Sequence, residues 1–263
     1  WDNLYTNELS NHAHDPADTG TNWFEDSDAQ EKVLEFLSDF LPAEGGQETT
    51  TAKTRTSFLD LGTGNGDMLF GLRDAGWTGP MLGVDYSERS VEFARRIEDA
   101  RRKGLTPRHT FDSDDERHSG HRLPNPRHPH PVPAPRRPVP HGGQGWDVVL
   151  DKGTFDAISL SSETDPTTGR RVSESYRARV LPLVREGGLF LVTSCNWTED
   201  ELHKWFAGEQ QQGQEQEQGA EAEEERRWRF QQVGRVEYPS FSFGGVKGST
   251  ISSVCFRKTA RAS

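Results

Sequence analysis

Cysteine is nearly absent from this chain: there are two in 263 residues, Cys195 and Cys255. No CxxC and no Cys/His pair at ligand spacing occurs, so neither a disulfide framework nor a zinc module organises the fold. Each cysteine lies in an apolar, strand-like run, LFLVTSCNW and SSVCFRK, which predicts two buried thiols in a reducing compartment. Long apolar runs are missing too; none approaches the roughly 20 residues that a membrane-spanning helix needs. Positive charge is in deficit. Lys and Arg number 31 against 42 Asp and Glu, a formal net charge of −11, which disfavours nucleic-acid binding through phosphates and suits a basic protein partner better. Hydrophobic residues, at 31%, are few for a globular chain, but the shortage is concentrated in polar stretches. The chain begins at Trp1 rather than Met, which points to a trimmed amino terminus and leaves room for a removed targeting segment.

What is present is an alternation of short apolar runs with helical patterns. Residues 1–24 read as a partly helical lead-in outside the core. Val33, Leu34, Phe36, Leu37, Phe40 and Leu41 recur at helical spacing over 26–41, with Asp26 or Ser27 as N-cap. Residues 43–56 read as a flexible connector. SFLDLG (57–62) is a buried strand, followed by a Gly-rich turn and a helix near 66–75. MLGVDYS (81–87) is a second strand, with a helix over about 88–103. A weaker strand is expected near 107–112, then strands at 146–153 and 187–195, with helices at 173–186 and 198–206. Apolar strands alternating with helices predict a parallel α/β sheet covered on both faces. Residues 228–237 and 250–258 predict an antiparallel pair closing one sheet edge, and 259–263 a tail.

Two segments break this domain, which spans 57–258. Residues 113–145 hold eight prolines, five arginines and five histidines, and 208–225 is almost entirely Gln, Glu, Gly and Ala. Neither has apolar periodicity, so both are expected as surface loops. His118, His121, His128, His130 and His141 lack carboxylate or cysteine company at ligand spacing, so no metal site is assigned.

The sharpest local signal is Asp60-Leu61-Gly62-Thr63-Gly64-Asn65-Gly66, after an apolar strand and before a helix. Glycines there let the backbone turn sharply and approach a ligand closely. The spacing is GxGxG, and Asp67 stands where a GxGxxG dinucleotide motif needs its third glycine. Asp60, just before the glycines, would repel a pyrophosphate and suit the cationic amino group of a methionine moiety. Asp85 ends the second strand, where a carboxylate can accept both hydroxyls of a ribose; Ser87 is a better cap for the next helix. Tyr86 is placed to lie against an adenine or simply to pack. Asp112, or its neighbours Ser113 and Asp114, would end the third strand beside the adenine amino group.

Together DLGTGNG, GVDYS, DKGTFDAISL, TSCNWTEDEL and FSFGG, with DTGTNWFEDS (18–27) ahead of them, resemble the seven-β-strand, class I protein-lysine methyltransferases that use S-adenosylmethionine. Within that group the resemblance is to the family that methylates a lysine of eukaryotic elongation factor 1-alpha. It implies a Rossmann-like sheet in the order 3-2-1-4-5-7-6 with strand 7 antiparallel. It implies a donor bound at the carboxyl ends of strands 1, 2 and 4, near Asp60, Asp85 and Asp151, with Trp23 closing over it. The alternative for Trp23 is a staple that packs the lead-in onto the domain.

Asp151 ends the fourth strand, where the reactive methyl is expected in this fold. It is the candidate for steering the acceptor amine or taking its hydrogen bond; pairing with Lys152 or capping the next helix is the alternative. A lysine amine must be neutral to attack, which at neutral pH costs on the order of 4–5 kcal/mol from a free pKa of ~10.4. Phe155, Trp197, Phe241 and Phe243 are candidate walls of a lysine channel, drawn to a methylated ammonium by cation–π attraction. Asp156 receives no role. No Ser/His/Asp or Cys/His arrangement is visible, which disfavours hydrolase chemistry. Competing readings are a small-molecule or terminal-amine acceptor, a non-catalytic cofactor-binding interaction module and, more distantly, a NAD dehydrogenase. The expected location is the cytoplasm, the expected partner elongation factor 1-alpha.

Overall fold

The structure, a computed structural model, describes residues 1–45, 49–105, 119–121, 140–165, 169–208, 220–239, 241–243, 246–248 and 250–261. The chain divides into two units, Trp1–Ala134 and Pro135–Ser263.

In the first unit the apolar runs become strands β1 (Phe58–Leu61) and β2 (Met81–Val84), buried along their whole length. A third strand, β3 (Ser119–His121), lies beyond β2, so the order is β3-β2-β1 with parallel pairing. The helices are α1 (Asp2–His14), α2 (Ala29–Gly45), α3 (Thr49–Arg55), α4 (Asp67–Asp74) and α5 (Glu88–Arg102). Buried parallel strands have no polar face to offer water, which is why FLDL and MLGV are apolar except at the strand-end acid and the glycine.

Four expectations need correction here. The lead-in belongs to the core: Tyr5 and Leu9, one helical turn apart on α1, are buried with Phe70, Phe93 and Ile97. Helix α2 starts at Ala29, and Asp26 and Ser27 sit in a separate 3₁₀ turn, Glu25–Ser27, so neither caps it. Part of the expected connector is helix α3, anchored by Ala52, which is buried, and by Lys53, whose Nζ donates to the Ala75 carbonyl at 2.6 Å. Finally, β3 falls inside the stretch expected as a loop, whereas residues 107–112 lie outside the described residues. Most of the histidine-rich segment lies outside them too.

In the second unit β4 (Trp146–Lys152) pairs in parallel with β5 (Val184–Ser194). Then come β6 (Trp228–Val236), a small hairpin of β7 (Phe241–Phe243) and β8 (Val246–Gly248), and β9 (Ser252–Ala260). Strand β9 runs antiparallel to both β5 and β6, giving the order β4-β5-β9-β6. The expected series 3-2-1 and 4-5-7-6 are thus met within the two units, β9 being the antiparallel seventh strand. The fold is the Rossmann-like α/β class. The helix expected over 173–186 is shorter: it runs Tyr176–Val180 between 3₁₀ turns, because Pro182 removes an amide donor and β5 already begins at Val184. Residues expected as the end of a loop form a helix, Ala220–Arg227; 209–219 lie outside the described residues. Phe190, Phe206, Phe230 and Phe256 fill the core, with ring centroids 5.0 Å apart for Phe190 and Phe206 and 5.5 Å for Phe190 and Phe230. Burying each ring is worth roughly 1.5–3 kcal/mol. Cys255 is buried as expected, but Cys195 is exposed, because it lies in the turn just past the end of β5. Among the described residues no helix is long and apolar enough to cross a membrane.

Candidate active site

The first unit carries the glycine-rich loop. Asp60 is buried near the end of β1, opposite Gly83 of β2. The loop is then sewn to the tip of β2: the amides of Gly62 and Thr63 both donate to the Val84 carbonyl, at 2.8 and 3.0 Å. Gly64 and Gly66 adopt left-handed φ angles of 58° and 83°. A Cβ on Gly64 would stand 2.9 Å from the Tyr5 hydroxyl, and one on Gly66 would meet Phe70 at 3.1 Å. Glycine is therefore required there by conformation and by space. The Thr63 side chain turns against Gly83, and its hydroxyl finds no hydrogen-bond partner among the described residues.

Asp85 locks the loop to the next helix. One carboxylate oxygen accepts from the Gly64 amide at 3.0 Å, the other from the Ser87 amide at 2.9 Å. Burial pushes its pKa up, and the amides of Ser87 and Gly64 oppose that shift by favouring the charged form. Ser87 caps α5, accepting from the Ser90 amide at 3.4 Å. Tyr86 is half-buried beside them. Asp112 lies outside the described residues.

The sequence reading missed the clasp that the amino-terminal segment makes on this loop. The Asn65 amide side chain donates to the Thr19 carbonyl at 2.9 Å, and the Ser87 hydroxyl to the Asp2 carboxylate at 2.6 Å. Tyr5 stays protonated far above its ordinary range, first through burial and then through Asp85, Tyr86 and Glu8. Glu8 accepts from the amide and hydroxyl of Thr21 at 3.3 and 3.0 Å, folding the segment back on α1. Trp23 is 44% exposed and lies 5.1 Å from Trp1, which in turn stacks on Tyr5 at 6.4 Å. Tyr5, Leu9 and His12 at helical spacing were the available signal, diluted by polar neighbours.

The second unit carries the acids and aromatics. Asp151 is 1% exposed. One of its oxygens accepts from the Thr154 amide at 2.8 Å and from the Phe155 amide at 3.1 Å. The other accepts from the Phe155 amide at 3.1 Å and from the Tyr176 hydroxyl at 2.5 Å. Sequence reasoning offered this carboxylate to an incoming amine; its own turn and Tyr176 occupy it instead, so it holds the start of the helix Thr154–Leu160. Phe155 is also corrected. It is 1% exposed and enclosed by Tyr176, Trp197, Trp205 and Phe206 at 5.4, 6.1, 5.3 and 5.0 Å, so it is core and not a wall open to substrate. Trp197 is half-buried at the edge of that cluster. Its indole N–H donates to the Ser159 hydroxyl at 2.9 Å. Asp156, to which no role was given, is buried and accepts from the Ser194 hydroxyl and from the Cys195 amide. The backbone of Phe241 and Phe243 forms β7, and their side chains lie outside the described residues.

Residues 52–234 match the family described as a methyltransferase domain. The chain is 38% identical over 259 residues to "Protein-lysine N-methyltransferase EFM4" of Saccharomyces cerevisiae, covering 98% of this chain and 92% of that protein. It is 32% identical to "Protein-lysine N-methyltransferase efm4" of Schizosaccharomyces pombe, covering 98% of this chain and 91% of that one. It is 27% identical to the human "EEF1A lysine methyltransferase 2", covering 98% and 84%. The chain belongs to the class I, S-adenosylmethionine-dependent protein-lysine methyltransferases, in the family of these relatives.

Proposed function

We propose that this chain methylates the ε-amine of a lysine in translation elongation factor 1-alpha, in the cytoplasm. The observation that carries the substrate is the near full-length likeness to relatives named for that factor. The two cysteines, with no disulfide framework, suit a reducing compartment. The acidic balance suits a protein acceptor and not a nucleic acid.

The donor's chemistry suits the residues of the first unit. Asp85, buried at the end of β2 and held by the Gly64 and Ser87 amides, is assigned to the ribose hydroxyls. Gly62, Gly64 and Gly66, all at positive φ, leave alternate positions of the loop without a side chain. Thr63 contributes through its backbone, since its side chain packs on Gly83. Asp60 is assigned to the methionine amino group, Tyr86 and Trp23 to the adenosine side, and Asp112 to the adenine amino group. When bound, the sulfonium donor supplies an already activated methyl group.

The remaining work belongs to the chain. It must align the amine and keep it neutral by excluding water. Trp197 is assigned as an aromatic wall for the amine. Phe155 supports Trp197 from behind, and Asp151 fixes the turn after β4. The test is methyl transfer to purified elongation factor 1-alpha, read by mass spectrometry of its lysine peptides. Methyl masses gained on one lysine are expected. No gain, with donor binding confirmed by calorimetry, would overturn the substrate and leave the acceptor to be found by labelled transfer into a cell extract.

A further inference from the structure

Asp156 and Ser159 lie one turn apart on the helix Thr154–Leu160, and both are buried although they are polar. A buried carboxylate is costly unless its hydrogen bonds are filled, and those of Asp156 are spent on one turn. It accepts the Ser194 hydroxyl and the Cys195 amide at 2.9 Å. The Ser194 hydroxyl oxygen then accepts the amides of Asn196 at 3.1 Å and Trp197 at 3.0 Å. Ser159 donates to the Asp156 carbonyl at 3.0 Å and accepts the Trp197 indole N–H at 2.9 Å. The backbone of Trp197 and the polar edge of its ring are therefore both held from one helix. Phe155 and Trp205 cover part of the ring, with centroids 6.1 and 5.6 Å away, and leave it half-buried. Core packing alone would not need both the backbone of this residue and its indole N–H fixed by buried polar groups.

We propose that Asp156 and Ser159 are positioning residues that lock Trp197 as an aromatic wall for the methylated amine, and so set how many methyl groups a lysine gains before it leaves. This rests on the lysine methyltransferase reading above. A locked ring holds a methylated ammonium by cation–π attraction between turnovers; a ring free to turn about its side-chain bonds releases it early.

The test compares the wild type with Ser159→Ala, Ser159→Thr and Trp197→Phe in the full chain. The lock is read from hydrogen exchange of the Trp197 indole N–H, assigned by its loss in Trp197→Phe. The consequence is read from the shares of mono-, di- and trimethyl-lysine at equal total transfer. In Ser159→Ala the indole exchange is expected to accelerate at least tenfold. The most highly methylated share is expected to fall at least fivefold there and in Trp197→Phe, with the donor Kd within about twofold. Ser159→Thr keeps the hydroxyl and is expected to restore the wild-type pattern, which separates loss of the bond from loss of folding. Unchanged indole exchange, or an active wild type and variants with the same methyl distribution, would overturn the inference alone. A wild type inactive on the factor would overturn the substrate reading and the wall's role with it.

Discussion

At the scale of single residues, the buried pair Asp151 and Tyr176 ties the protein's stability to pH. Burial pushes the Asp151 carboxyl up to about 7; the Tyr176 hydroxyl and the amides of Phe155 and Thr154 pull it down, and Asp156 adds to the rise. Tyr176 itself is raised well above its ordinary value, by burial first and then by Asp151, so the proton of the pair stays on the phenol. The unfolded carboxyl titrates near ~3.9. A folded value above the unfolded one means that this group's contribution is fully present below about pH 4 and is lost as pH rises through about 7. Tyr176→Phe keeps the ring stacked on Phe155 and removes one hydrogen bond to the charged form, so the folded titration moves higher still. The variant is expected to lose about 0.5–1.5 kcal/mol at pH near 5, where a neutral pair is broken, and about 1.5–3 kcal/mol at pH near 9, where a charged one is. Urea unfolding at the two pH values checks this; an equal loss at both would show that Asp151 does not titrate between them.

At the scale of elements, helix α1 couples stability to the glycine loop. Leu9 packs with Phe70, Phe93 and Ile97, and Tyr5 on the same face stands over Gly64. Leu9→Ala is expected to cost about 2–5 kcal/mol of stability, as other buried leucine truncations do. Because it loosens the helix that carries Tyr5, it is also expected to weaken donor binding, measured by calorimetry; a destabilised variant with unchanged donor affinity would separate the two roles. The contrast between α1 and β1 shows what the sequence makes visible. FLDL followed by GTGNG announces a buried strand and a ligand turn through local apolarity and glycine spacing alone. Helix α1 is buried along one narrow stripe in a polar background, and α3 exists because Ala52 and Lys53 find tertiary anchors. Composition records neither. The site divides in the same way. The strand-end acids were legible as Asp60, Asp85 and Asp151. Whether a carboxylate opens to a ligand or closes on its own turn was not, because for Asp151 that is decided by Tyr176, 25 residues away. The clasp from Asp2, Thr19 and Tyr5 was hidden for the same reason: its partners are distant in sequence.

At the scale of the whole molecule, the dominant property is the charge of −11. Such a field barely affects a small donor that carries charges of both signs, but it raises the encounter rate with a basic protein. Screening shortens that reach to about 10 Å at 0.1 M salt and less above it. With the protein acceptor proposed above, kcat/KM is therefore expected to fall roughly three- to tenfold between about 50 and about 300 mM salt. The loss should appear in KM, since kcat is set after docking, when long-range attraction no longer limits the rate. Donor Kd over the same range is expected to change less than twofold. Steady-state kinetics with the intact factor, set beside a short neutral peptide carrying the same lysine, isolates the effect. If the peptide showed the same salt dependence, local contacts at the lysine would be responsible and not the field of the whole chain.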